Sequence, residues 1–90
     1  MTADLKRLPR RQPNVQLRGE GAEACLVVSS TGVKHVVNPT ARAIWELCDG
    51  TTTVDELVSV ICQLFDVSRT TAAADVRQVI EELEHAGLVR

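Results

Sequence analysis

The residues of this chain that could do chemistry are few: His35 and His85, Cys25, Cys48 and Cys62, and the acidic cluster Glu81, Glu82 and Glu84. A general acid–base pair needs two titratable side chains converging on one substrate atom. Consecutive glutamates on a helix point in different directions, so the acidic cluster reads as a solvated face. His35 lies in a β-prone run among valines. His85 falls near the end of a helical stretch, where the helix dipole favours a cation. Three cysteines cannot all pair, their spacings fit no zinc pattern and no histidine pair accompanies them. They read as reduced, buried thiols of a cytoplasmic protein. No serine sits in a nucleophile elbow, and no glycine-rich loop opens a helix of a βαβ unit. The expectation is a protein that is not an enzyme, with no catalytic residue, no metal site and no cofactor.

The elements that would position any site are strongly specified. Asn38-Pro39 is an N-cap followed by proline at the first helical position. Ala41, Ile44, Trp45 and Cys48 then fall on one helical face, and Asp49-Gly50 closes the stretch. Thr53 and Glu56 form the pattern of a capping box. They open a second helix with Val54, Leu57, Val58, Ile61, Leu64 and Phe65 on its apolar face. Ser68 caps a third helix whose apolar face is Ala72, Val76, Val79, Ile80 and Leu83, and Gly87-Leu88 reads as a Schellman ending. Upstream, Val15–Arg18 alternates apolar and polar residues before a turn at Gly19-Glu20-Gly21. Ala24–Val28 and Val33–Val37 flank the turn chemistry of Ser29-Ser30-Thr31-Gly32. The expected class is α+β: a three-stranded antiparallel sheet followed by three helices, a small winged helix-turn-helix-like domain.

Ninety residues with 44% hydrophobic and 24% charged side chains suit one domain with a small core. Trp45 and Phe65 are its only aromatics, so that core is aliphatic. Charge is uneven. Residues 1–18 hold Lys6, Arg7, Arg10, Arg11 and Arg18 against Asp4, while the rest is acidic and the total is −2. Residues 1–14 contain Pro9 and Pro13 and no periodicity, and read as a basic flexible arm before a domain at 15–90. No apolar run is long enough to span a membrane, and no signal peptide is visible.

Strands with three helices also suit a nucleic-acid-binding or transcriptional adaptor. Phosphate neutralisation dominates such binding, yet the second helix exposes no Lys or Arg and the third exposes more carboxylates than cations. A recognition helix of that charge would be repelled, so no nucleic-acid partner is expected. The remaining feature is a sheet edge. Val33–Val37 offers backbone groups to which an extended peptide could add as a strand. The first strand or a second copy of the chain, in a structural homodimer, could instead cover that edge.

Asn38-Pro39-Thr40-Ala41, Ile44, Leu47-Cys48-Asp49-Gly50, Thr53-Val54 with Leu57, Phe65-Asp66-Val67, Asp75-Val76 and Gly87-Leu88-Val89 form an ordered set. In this set the chain resembles the PqqD-like family, peptide-recognition elements of ribosomal natural-product pathways. The resemblance covers about residues 12–90 and implies a winged-helix-type domain. Such domains bind the leader segment of a precursor peptide in the cleft between the third strand and third helix, and deliver it to a tailoring enzyme. That enzyme is a radical-SAM enzyme in the pyrroloquinoline quinone pathway and a leader peptidase in lasso-peptide clusters. The Asn-Pro-Thr and Ile-Trp pairs are closer to the lasso-cluster proteins. The few aromatics and the β-branched third strand depart from the family pattern. On this reading Val33, Lys34, His35, Val36 and Val37 pair with the leader backbone. Ala73, Val76, Arg77, Ile80 and Glu84 form the wall, with Lys34 and Arg77 meeting acidic leader residues.

Overall fold

The computed structural model describes residues 6–19 and 24–90. Met1–Leu5 of the expected arm, and Glu20 and Gly21 of the expected turn, lie outside the described residues. Three strands, β1 (Val15–Arg18), β2 (Cys25–Val28) and β3 (Lys34–Val36), precede α1 (Pro39–Leu47), α2 (Val54–Phe65) and α3 (Arg69–His85). The strands form one antiparallel sheet in the order β1-β2-β3. The expected α+β class and element order are those observed.

Each helix starts where its capping residue stands. Asn38 accepts a hydrogen bond from the Ala41 amide at 2.8 Å. Thr53 accepts from the Glu56 amide at 3.1 Å while Glu56 accepts from the Thr53 amide at 2.9 Å, so the capping box is complete. Ser68 accepts from the Thr71 amide at 3.2 Å. α3 ends at Gly87, which takes the left-handed conformation with φ of 75°. The Leu88 amide then reaches the Leu83 carbonyl at 2.8 Å and the Gly87 amide reaches that of Glu84 at 3.0 Å, the two bonds of a Schellman ending.

The core lies between the helices and one face of the sheet. Leu26 of β2 is fully buried in one core cluster with Ile44, Leu57, Ile61, Val76, Ile80 and Leu83, and burying such a side chain contributes roughly 2 kcal/mol. Trp45 is 7% exposed and belongs to this core. The expected apolar face of α2 ends early: Leu64 is 62% exposed and Phe65 37%. Periodicity therefore continues through the last turn of α2 where burial stops.

The expected flexible arm differs most from what is observed. From Arg7 to Gln12 the chain is hydrogen-bonded into the body. Arg10 and Arg90 exchange backbone bonds of 2.9 and 2.8 Å. The Arg11 amide donates to the Cys48 carbonyl at 2.7 Å, and the Gly50 and Val54 amides donate to the carbonyls of Pro9 and Arg7, each at 3.0 Å. Pro9 is fully buried. Gly50, with φ of 81°, takes a left-handed conformation that L side chains rarely adopt, and this lets its amide reach Pro9. The segment therefore closes over both the α1–α2 turn and the C-terminal residues. No helix among the described residues is long and apolar enough to cross a membrane.

Candidate functional site

The site begins with the sheet order. β2 pairs with β1 on one side and β3 on the other, so β3 is an edge strand with no strand beyond it among the described residues. In an antiparallel ladder, bonded and non-bonded residue pairs alternate. The Val28 amide bonds to the Val33 carbonyl at 2.9 Å, and the Val37 amide bonds to that of Ala24 at 3.1 Å. With Leu26 opposite His35, the groups of Val33, His35 and Val37 are directed at β2. Those of Lys34 and Val36 point outward to the open edge. Side chains alternate as well. His35 shares the helix-facing side with Leu26, while Lys34 and Val36 lie on the other side, where Val36 is 80% exposed.

Beside this edge runs a groove of about 210 Å³. Residues His35 to Asn38 form one wall, Val79, Glu82, Leu83 and Ala86 of α3 form the other, and Ala41 and Leu88 complete the lining. α1 meets the groove because Asn38 caps it there. The buried Trp45 indole donates to the Leu88 carbonyl at 3.4 Å, which places the one tryptophan immediately behind the lining. On its other side the Trp45 ring carries the Arg11 guanidinium 5.5 Å from its centroid, a cation–π contact. Two depressions of about 310 and 380 Å³ adjoin the groove along α3. One is lined by Asn38, Thr40, Asp75, Gln78, Val79 and Glu82, and the other by Glu81, Glu82, His85 and Ala86.

Of the expected strand residues His35, Val36 and Val37 line this groove and Val33 and Lys34 do not, and none of the expected helix residues lines it. Val76 and Ile80 are core residues, and Ala73 is partly buried against that core. Arg77 lines a separate depression of about 70 Å³ with Arg7, Val54, Ile80 and Glu81. Glu84 is bound by both terminal nitrogens of Arg7. At about 100° per residue, the set 73, 76, 77, 80 and 84 is centred roughly two fifths of a turn away from the set 75, 79, 82 and 86. The buried stripe of α3 lies between the two. The groove-facing residues Val79, Glu82 and Ala86 were thus missed as wall residues, although Val79 stood at one margin of the expected apolar stripe. The charge expectation changes with them: Arg77 is on the far flank and Lys34 is on the outer face of the sheet.

The Cys48 thiol is not an activated nucleophile. Burial pushes the Cys48 thiol up to about 12, against a smaller opposing effect of Arg11. Its sulfur lies 3.1 Å from the Ile44 carbonyl. No group of three or more His, Cys, Asp or Glu among the described residues could hold a metal ion. What the arrangement can do is accept an extended chain: outward backbone groups on one side, a groove of mixed polar and apolar lining beside them.

A family model described as coenzyme PQQ synthesis protein D matches residues 23–89. Two solved structures have the same fold. One is described as TbiB1 in complex with the TbiA(beta) leader peptide. It is 23% identical with a TM-score of 0.76, covering 90% of this chain and 94% of that one. The other is lasso peptide synthetase B1 complexed with the leader peptide. It is 18% identical with a TM-score of 0.77, covering 92% and 98%. No curated protein sequence matches the chain.

Proposed function

The chain belongs to the PqqD family, and from that premise we propose that it binds the leader segment of a ribosomally made precursor peptide and presents it to a tailoring enzyme. The leader adds to β3 as a fourth strand, and its side chains on the helix-facing side enter the β3–α3 groove. The observation that carries this reading is the open edge of β3, where the outward groups of Lys34 and Val36 stand directly beside that groove. Backbone pairing supplies affinity that is tolerant of sequence, and the groove supplies selection at alternate positions. The two structural neighbours carry leader peptides in their descriptions, which supports the same class of ligand here. The protein itself performs no chemistry in this reading. Holding leader and enzyme together raises the effective concentration of the core peptide at the enzyme.

The test is titration with a synthetic leader from the precursor reading frame adjacent to this chain's own, followed by amide NMR and by Trp45 fluorescence. Shifts are expected at Lys34, Val36, Val79, Glu82 and Ala86. Val36→Pro removes an outward donor only, so affinity is expected to fall at least about tenfold while the fold survives. His35→Pro removes a bond to β2 and is expected to disrupt the hairpin. A Val36→Pro variant that binds the leader as tightly as the parent would refute the β3 assignment.

A further inference from the structure

The groove has a charge of its own, and its sign differs from that expected of the peptide-binding face. The β3–α3 groove and the two depressions that adjoin it along α3 share Glu82 as a lining residue. Asp75 and Glu81 line the same trough at its two ends, and no Lys or Arg lines any of the three. Two histidines, His35 and His85, are the other titratable side chains there. Glu82 accepts one hydrogen bond, from the Gln78 amide at 3.2 Å, through Oε1. Its second oxygen and the whole Asp75 carboxylate meet no cation among the described residues. On the opposite flank of α3, Glu84 is held by Arg7. The packed flank of the helix has its carboxylate neutralised within the protein, and the open flank does not.

We propose that the groove selects a peptide carrying a Lys or Arg side chain that meets Glu82, with Asp75 extending the same negative field toward the Asn38–Thr40 end. The proposal rests on the peptide-binding reading and names the chemistry of its ligand. An ammonium or guanidinium entering beside Val79 and Ala86 lays its methylene stem on apolar surface and brings its charge to the carboxylate. A peptide with an acidic residue at that position meets uncompensated like charge, so discrimination comes from repulsion as well as attraction. Because Glu82 is exposed, the pair is screened by salt and its effect is moderate.

The experiment uses a random-peptide display library on the full chain and on its Glu82→Gln and Glu82→Lys variants, whose altered side chain is exposed and outside the core. The parent is expected to enrich Lys or Arg at one position of the selected peptides. Glu82→Gln is expected to lose that preference, and Glu82→Lys to enrich Asp or Glu instead. Replacing the selected basic residue by Ala is expected to weaken binding to the parent by roughly three- to tenfold at low salt and less at high salt. Selected peptides that shift the Val36 amide yet show no charge preference would overturn the selectivity and leave the peptide-binding function standing. Enrichment of no peptide at all would overturn both.

Discussion

The two flanks of α3 carry similar side chains and end in opposite circumstances. On one flank Arg77, Ile80 and Glu84 meet α2 and the N-terminal segment, with Arg7 bonded to Glu84 and only about 70 Å³ left open. On the other flank Val79, Glu82 and Ala86 face β3 across about 210 Å³ that no element among the described residues fills. Both flanks are half polar and border the same buried stripe. The difference is supplied by the remainder of the chain, which lays residues 7–12 on one side and leaves a strand edge on the other. A helix of modest amphipathicity can therefore be half scaffold and half binding wall.

That contrast can be broken from either side. The largest effect is expected from deleting residues 1–12, which strips the cover from Leu88 and Val89 and the buried Pro9 from its site. A loss of at least about 3 kcal/mol in urea unfolding is expected, and an unchanged midpoint would show that the segment is not part of the scaffold. Next come paired substitutions on α3. Ile80→Ala should cost about 2–4 kcal/mol because it opens a cavity in the core. Val79→Ser should cost less than about 1 kcal/mol yet weaken leader binding roughly five- to tenfold by removing an apolar contact. Equal stability losses at the two positions would erase the distinction between the flanks.

A smaller effect is expected from Arg7→Ala. Arg7 and Glu84 are 40% and 33% exposed, so solvent screening limits the pair to about 1 kcal/mol or less, with no change in peptide affinity. The smallest concerns Asp49, an exposed side chain. Hydrogen bonds from Thr51 and then Thr52 hold its carboxyl at about 2, below its ordinary 3.8. A lowered carboxyl contributes stability that is fully present above about pH 4 and is lost as pH falls toward 2. Asp49→Asn should remove that part of the acid dependence, measurable as a flatter unfolding midpoint between those pH values.

Much of the fold was legible because its signals are local. Asn38, Thr53 and Ser68 cap their own helices through bonds to residues three positions on, and Gly87 ends α3 through bonds within one turn. The strand half of the site was legible for the same reason: β-branched runs around a turn form a hairpin. The helix half was not. Periodicity locates the buried stripe of α3, but Val79 at one margin and Arg77 at the other are equivalent until the direction of the sheet edge is known. Residues 7–12 left no signal because isolated backbone bridges impose no period on side chains, and prolines and arginines suit a free arm and a docked one alike.

The sequence by itself determined the elements, their order and their ends, since capping, turn and periodic patterns act over a few residues. It also determined that the core would be aliphatic, while the burial of Trp45 was decided by the packing. Only the tertiary structure decided which strand edge stays open, which flank of α3 faces it and where the basic segment lies. Those depend on contacts between residues far apart in the chain, such as Arg10 with Arg90 and Arg7 with Glu84. The sign of charge in the groove follows from that packing, because it consumes Glu84 and leaves Glu82 and Asp75 available to a ligand.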